Sequence, residues 1–361
     1  MTMKRILLIV AVGIMTAMNA IAQRVVVTDT NGQGIPLVSV LTDEGNLIGT
    51  TDLNGIIADV KGAAKIALTH VAYKPQLVTV ATLPTVGDGG HRVTMEDLDY
   101  GLDEIVVKPK PYIYVEAYYR VYVYRNDSLC YFFTGIMPNA YDAQKKKKQH
   151  GSYYQACAEY SNQFLSAWSS RAHNYNAGQV ITTSLKEAEK LLKEKYFISA
   201  TIDSPTHTTY SNAKGTVGQL VRTDGQVRMT LDAGTAQMYA NEVKGETKQL
   251  ERRQERGYEY QYTRIYADDV DGNPDISNFI MYSNQWEYND KKSHVKFIIE
   301  TYATDHYYMD KQEWKNHKKA IKEEYGTTMT LEELADYERR HNIPALSPVT
   351  LQAISKMKKQ W

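Results

Sequence analysis

The 361-residue chain has only two cysteines, Cys130 and Cys157, and no C-x-x-C pair. That excludes a cysteine-built metal cluster, a dithiol redox centre and a disulfide-framework miniprotein. It also lacks H-E-x-x-H and its inverse, a G-x-S-x-G elbow and a phosphate-cradling glycine loop, so the local signatures of several hydrolase and nucleotide-binding classes are missing. Charge of one sign is lacking too: 42 basic residues face 42 acidic ones. Without a net field, nucleic acid is not an expected partner. The run at 145–148, four lysines, reads as a solvated loop tip. Long apolar runs are confined to one, "ILLIVAVGIMTAM", and it is shorter than the ~20 residues a membrane-spanning helix needs.

That run has a function of its own. Lys4 and Arg5 precede it and "AIA" follows, the three-part pattern of a cleaved export signal over residues 1–22, with the mature chain starting at Gln23. No cysteine lies near the cleavage site, so a lipoprotein is not expected. The expected location is the periplasm or an outer-membrane-associated site, with no transmembrane segment in the mature chain.

Residues 23–108 alternate short apolar runs with turn residues, as in "RVVVTD" then "TNGQG", and "PLVSVLT" then "DEGN". Such spacing predicts an all-β, antiparallel sandwich or barrel. Asn31-Gly32 and Asn54-Gly55 are hairpin turn pairs, read with both residues tolerating positive φ. "IGTTDLNGII" contains D-x-N-G, the core of a calcium loop. The first ligand position is Thr50, however, and no glutamate follows, so Asp52 and Asn54 read as a turn. "ADDVDGNPD", with Asp269 and Asp271, fails the same test. No metal site is assigned.

The stretch "VVVTDTNGQGIPLVSVLTDEGNLIGTTDLNGII", followed by "LTHVAYKPQ" and "LDEIVV", resembles the carboxypeptidase regulatory-like domain of exported Bacteroidetes proteins. The resemblance covers about residues 24–108 and implies a transthyretin-like β-sandwich and an export route. It implies no catalysis, because this module is the non-catalytic partner of the peptidases it is named for.

"KPKP" then separates two domains, with a linker at 109–111. Beyond it lie 26 of the 28 tyrosines. "YIYVEAYYRVYVYR" alternates with period two: Ile113, Val115, Ala117, Val121 and Val123 form an aliphatic side, and Tyr114, Tyr118 and Tyr122 a second, half-solvated one dotted with Glu116 and Arg120. Residues 112–309 are thus expected to form a Tyr-rich antiparallel β domain with one internal helix at 184–195, capped by Ser184. Residues 310–361 are expected to form a helical tail with Thr330 and Ser347 as caps. The fold class is an all-β sandwich followed by an α+β domain.

Tyrosine suits binding surfaces, so Tyr114, Tyr118, Tyr122, Tyr258, Tyr260 and Tyr262 are candidate ligand contacts, for an envelope protein, peptide or glycan. A cross-strand aromatic ladder that merely stabilises the sheet is the competing account. No catalytic residue and no cofactor is assigned. Triads are recognised by geometry, so a noncontiguous site in the second domain stays open. The reading is an exported non-catalytic binding or assembly module of the cell envelope, the alternatives being an envelope peptide or glycan hydrolase and a purely structural component. Finally, a hairpin of residues 129–138 with 151–160 about Ala143 and Gln144 would set Cys130 opposite Cys157, a disulfide candidate in an oxidising compartment.

Overall fold

The computed structural model describes residues 23–87, 90–98, 110–142, 147–150, 156–162, 184–223, 225–268, 274–290, 293–323 and 327–360. The expected signal, "LDEIVV", Lys108 and Pro109 of the linker, the lysines at 145–146 and the Asp269 and Asp271 turn lie outside them. The chain divides into two compact units, one up to His70 with Lys74–Asp97, the other Val71–Tyr73 with Leu98 onward.

In the first region β1 (Val25–Thr28), β2 (Ser39–Thr42), β3 (Leu47–Thr50), β4 (Ile56–Ile57), β5 (Lys65–His70), β6 (Tyr73–Thr79), β7 (Thr85–Val86) and β8 (Gly90–Thr94) form two four-stranded sheets. Their orders are β4-β1-β8-β7 and β3-β2-β5-β6. Val25, Val27, Val40, Ile66 and Leu68 are fully buried, the inward half of the period-two pattern. One pairing departs from the antiparallel expectation: β1 and β8 run parallel. Parallel neighbours need a long crossover, and the six intervening strands provide it.

The D-x-N-G stretch is a turn. Asp52 Oδ1 accepts the N–H of Asn54 at 2.9 Å and of Ile56 at 2.8 Å, so its carboxylate is committed to its own backbone. Asp29 does the same for Asn31 and Gln33. Only the glycine of each Asn-Gly pair takes a positive φ, +80° at Gly32 and +76° at Gly55, so these are not the mirror-type hairpin turns expected.

The second unit is built on a 13-stranded sheet. Its strands are β9 (Tyr112–Arg125), β10 (Ser128–Asp142), β11 (Lys147–His150), β12 (Ala156–Ser161), β13 (Ser199–Ser204), β14 (His207–Asn212), β15 (Gly215–Thr223), β16 (Gln226–Asp232), β17 (Glu259–Ala267), β18 (Phe279–Asp290), β19 (Ser293–Met309), β20 (Thr327–Thr328) and β21 (Lys358–Lys359). The order is β13-β14-β15-β16-β17-β18-β19-β9-β10-β12-β20, with β11 on β10 and β21 on β12. All these pairs are antiparallel except β12 with β20.

Six helices accompany the sheet among the described residues: α1 (Leu185–Tyr196), α2 (Ala233–Val243), α3 (Thr247–Glu255), α4 (Lys311–Glu323), α5 (Leu331–Arg340) and α6 (Pro348–Ser355). Ser184, Thr330 and Ser347 cap α1, α5 and α6, and the first two form full capping boxes with Glu187 and Glu333. The expectation of a single internal helix is corrected by α2 and α3. The latter, "TKQLERRQE", buries no residue and so writes no apolar stripe.

Helices lie against both faces of the sheet. Leu185, Ala188 and Leu192 of α1 and Ala233 and Ala236 of α2 pack with Val115, Val227, Met229 and Tyr262 on one face. Trp314 of α4 packs with Tyr114 and Met309 on the other. A strand covered on both sides buries both halves of its alternation, and β9 does so.

The register also corrects the cysteine pairing. Cys157 stands opposite Gly135, not Cys130, and both thiols are free. The described β10–β12 pairs keep one register, from Tyr131 with Ser161 to Ile136 with Ala156, so β12 pairs further along than a single hairpin about Ala143 and Gln144 requires. On the return from β10, β11 and a shift between Ala140 and Tyr141 intervene.

Candidate functional site

Two sets of tyrosines were expected to form one binding surface. The register separates them. Across the sheet Val121 pairs with Ile299, Ile299 with Asn284 and Asn284 with Tyr262. Paired residues share a face, so Tyr260 and Tyr262 lie on the aliphatic side of β9, opposite to Tyr114, Tyr118 and Tyr122. Nor is the second side half-solvated: Tyr114, Tyr118 and Tyr122 are 2%, 0% and 7% exposed. Tyr262 is also buried, and Tyr258 and Tyr260 are intermediate. Tyr114, Tyr118 and Tyr122 are interior residues because their hydroxyls reach Glu116, Glu338 and Glu300 while their rings fill core.

The acceptors define the densest polar site. Tyr118 donates to Glu338 of α5 at 2.6 Å, and Tyr122 donates to Glu300 of β19 at 3.0 Å. Arg120, between the two tyrosines on β9, bridges the carboxylates: Nη2 lies 2.6 Å from Glu338 Oε1 and Nη1 lies 3.5 Å from Glu300 Oε2. It also donates to the Pro344 carbonyl, while the Tyr118 and Tyr302 ring centroids stand 5.8 Å and 5.7 Å from its guanidinium carbon. Arg120, Glu300 and Glu338 are all buried. Beside them Tyr337 of α5 donates to Glu116 at 2.7 Å, and His341 Nδ1 lies 3.2 Å from the Thr304 carbonyl.

Burial sets the electrostatics. Desolvation raises the pKa of Glu300, with Arg120 pulling against it. Burial also works against the charge on Arg120, yet Tyr122 and Glu338 outweigh it and hold the guanidinium's pKa above its usual value. Tyr118 is raised, by burial first and then by Glu338. Tyr118 therefore stays neutral and Arg120 charged at neutral pH, as suits a latch joining the tail to the sheet. Two short strands complete that latch: β20 and β21 both pair with β12, bracketing α5 and α6.

The latch belongs to a longer polar row. Thr134, Arg120, Glu300, Ser283, Thr263 and Thr230 stand opposite one another on six successive strands, and all are buried. The Thr230 and Thr263 hydroxyls are 2.9 Å apart.

On the opposite face Arg264 takes the analogous place. Its guanidinium carbon lies 5.3 Å and 5.4 Å from the Tyr262 and Tyr282 ring centroids, and the Tyr260 and Tyr282 hydroxyls are 3.2 Å apart. Burial pushes Tyr282 up to about 12. Next to it Trp286 stacks on Phe297 with centroids 4.4 Å apart. Tyr258 packs with Tyr260 against the cluster that holds Trp286 and Phe297, and lies under Arg253 of α3.

Burial pushes both thiols, Cys130 and Cys157, up to about 11, the opposite of an activated nucleophile. Among the described residues no group of three or more His, Cys, Asp or Glu is placed to hold a metal, and no helix is long and apolar enough to cross a membrane. No protein-family description matches the chain, and no curated protein matches it either.

Sequence reading noticed Glu116 and Arg120 as interruptions of the tyrosine stripe but missed their partners. Glu300 and Glu338 lie 180 and 218 positions from Arg120. The one available signal was a charge in the middle of a strand whose neighbours are aromatic, which requires a buried counter-charge if both faces are covered.

Proposed function

We propose that the chain is an exported, non-catalytic protein of a bacterial cell envelope, in which a carboxypeptidase-regulatory-like module carries a Tyr-rich sheet that serves in assembly. The observation that supports the non-catalytic reading is the closure of the polar site: Arg120, Glu300 and Glu338 are buried and bonded to one another and to Tyr118 and Tyr122. A general acid or base has to reach a substrate proton, and groups enclosed in this way hold the tail instead. Export rests on the leader pattern and on the resemblance of residues 24–108. The interacting partner is another envelope protein, reached without cofactor or metal.

Cell fractionation tests the first half. The protein should appear in the periplasmic or outer-membrane fraction with Gln23 as its N-terminus; cytoplasmic protein that keeps its leader contradicts export. Purified protein tests the second half. Turnover of envelope peptides or glycans that Glu300→Gln abolishes, in a variant that still folds, would overturn the non-catalytic reading.

A further inference from the structure

The two edges of the large sheet are finished differently. At one, β20 and β21 cover the outer side of β12 with the chain's own tail. At the other, β13 pairs with β14 alone among the described residues, and five of its six residues are exposed. Its sequence, "SATIDS", has neither the lysine nor the proline that commonly guards an edge, and carries one charge, Asp203.

The apolar layer runs out to this edge. Ile202 pairs with Thr208, Thr208 with Leu220 and Leu220 with Met229, so Ile202 lies on the face that buries Leu220 and Met229. Yet Ile202 is 78% exposed. Just before the strand, Phe197 closes α1 in the left-handed region, at φ 55°, where glycine is usual, and is itself exposed. A bulky residue held in that conformation at the rim of an open strand points to a contact surface.

We propose that β13 pairs antiparallel with β13 of a second copy of this chain, joining two sheets across a two-fold axis. This rests on the geometry of the second unit alone and is independent of export. The strand is self-complementary in one register. For apolar face to continue as apolar face, residues of equal parity must oppose. Centring the axis on Thr201 sets Ile202 against the partner's Ala200 on both sides of the axis, large against small. It also sets the single charge, Asp203, against the partner's Ser199, so no like charges meet. Centring on Ala200 would face alanine with alanine and leave a void at the axis. Centring on Ile202 would carry the pairing across the bulge between Ile202 and Ser204.

Sedimentation of the full chain over about 1–100 µM tests this. The wild type should show a concentration-dependent dimer, and Ile202→Lys should raise its dissociation constant by about tenfold or more. Because Ile202 is largely exposed, that variant should keep the wild-type melting curve at concentrations where both proteins are monomeric. Thr201→Cys should form a covalent dimer on mild oxidation, since directly opposed residues fall within disulfide range. Asp203→Cys should not. A monomer throughout, a dimer indifferent to Ile202→Lys, or Asp203→Cys linking as fast as Thr201→Cys would each overturn the proposal. The first of these would leave the open strand to a different protein.

Discussion

Replacing Glu338 with alanine strikes the latch at its centre. In the native chain its carboxylate accepts from Tyr118 at 2.6 Å and from Arg120 Nε at 3.1 Å, and it pairs with Arg120 Nη2 at 2.6 Å. Truncation leaves a buried guanidinium with Glu300 at 3.5 Å as its nearest remaining counter-charge, and a buried phenol without its acceptor. Removing one partner of a buried ion pair costs about 3–5 kcal/mol, more than an exposed pair contributes, because the survivor is not rehydrated. Glu338→Gln keeps an acceptor for Tyr118 but loses the charge, so a loss of about 1–3 kcal/mol is expected. Urea unfolding followed by tryptophan fluorescence reads the difference, since Trp286 and Trp314 both lie in the second unit. Hydrogen exchange locates it: amides of α5 and β21 should lose protection before those of β9. If Glu338→Ala unfolds within about 0.5 kcal/mol of wild type, as a neutral surface change would, the latch account is wrong.

Glu300 supplies a pH signature. Its folded pKa is raised, so its contribution to stability is fully present below the ordinary carboxylate value of 4.5 and is lost as pH rises through the folded pKa. Wild type should therefore lose stability relative to Glu300→Gln above pH 4.5, and parallel pH profiles of the two proteins contradict that assignment. In the first unit, a Cβ at Gly55 would lie 2.3 Å from the Val27 carbonyl oxygen at φ +76°; Gly55→Ala should cost at least about 1–3 kcal/mol in thermal denaturation, and an unchanged melt would show the turn to be adjustable. Cys130 and Cys157 should resist iodoacetamide in the native protein and both react on unfolding; an intact mass showing a disulfide would refute the β10–β12 register.

The sequence reached furthest where a single element carries its own pattern. Ser184, Thr330 and Ser347 announce their helices because a cap lies three residues from the amide it serves. The D-x-N-G turn was legible for the same reason, its carboxylate bonding two and four residues ahead. Strand alternation was legible in β9, but its meaning was not. Period two shows that a strand has two sides, not what covers them, and helices lie against both. The tyrosine side was therefore read as solvated when Tyr118 is fully buried. The cysteine register was beyond reach because β11 and the shift between Ala140 and Tyr141 intervene on the return from β10 to β12, and neither is marked in the sequence. The latch needs residues from β9, β19 and α5 together, and such long-range pairing appears only once the sheet order is known.

Tyrosine nitration mapped by mass spectrometry tests the interior lattice most directly. In the folded chain at neutral pH, Tyr114, Tyr118 and Tyr122 should remain unmodified, while Tyr307, which is 37% exposed, reacts. Deleting residues 330–361 should make Tyr118 react as well, because α5 covers it. Nitration of Tyr118 or Tyr122 in the intact protein as fast as Tyr307 would contradict the account, and would restore that side of the sheet as an open aromatic surface.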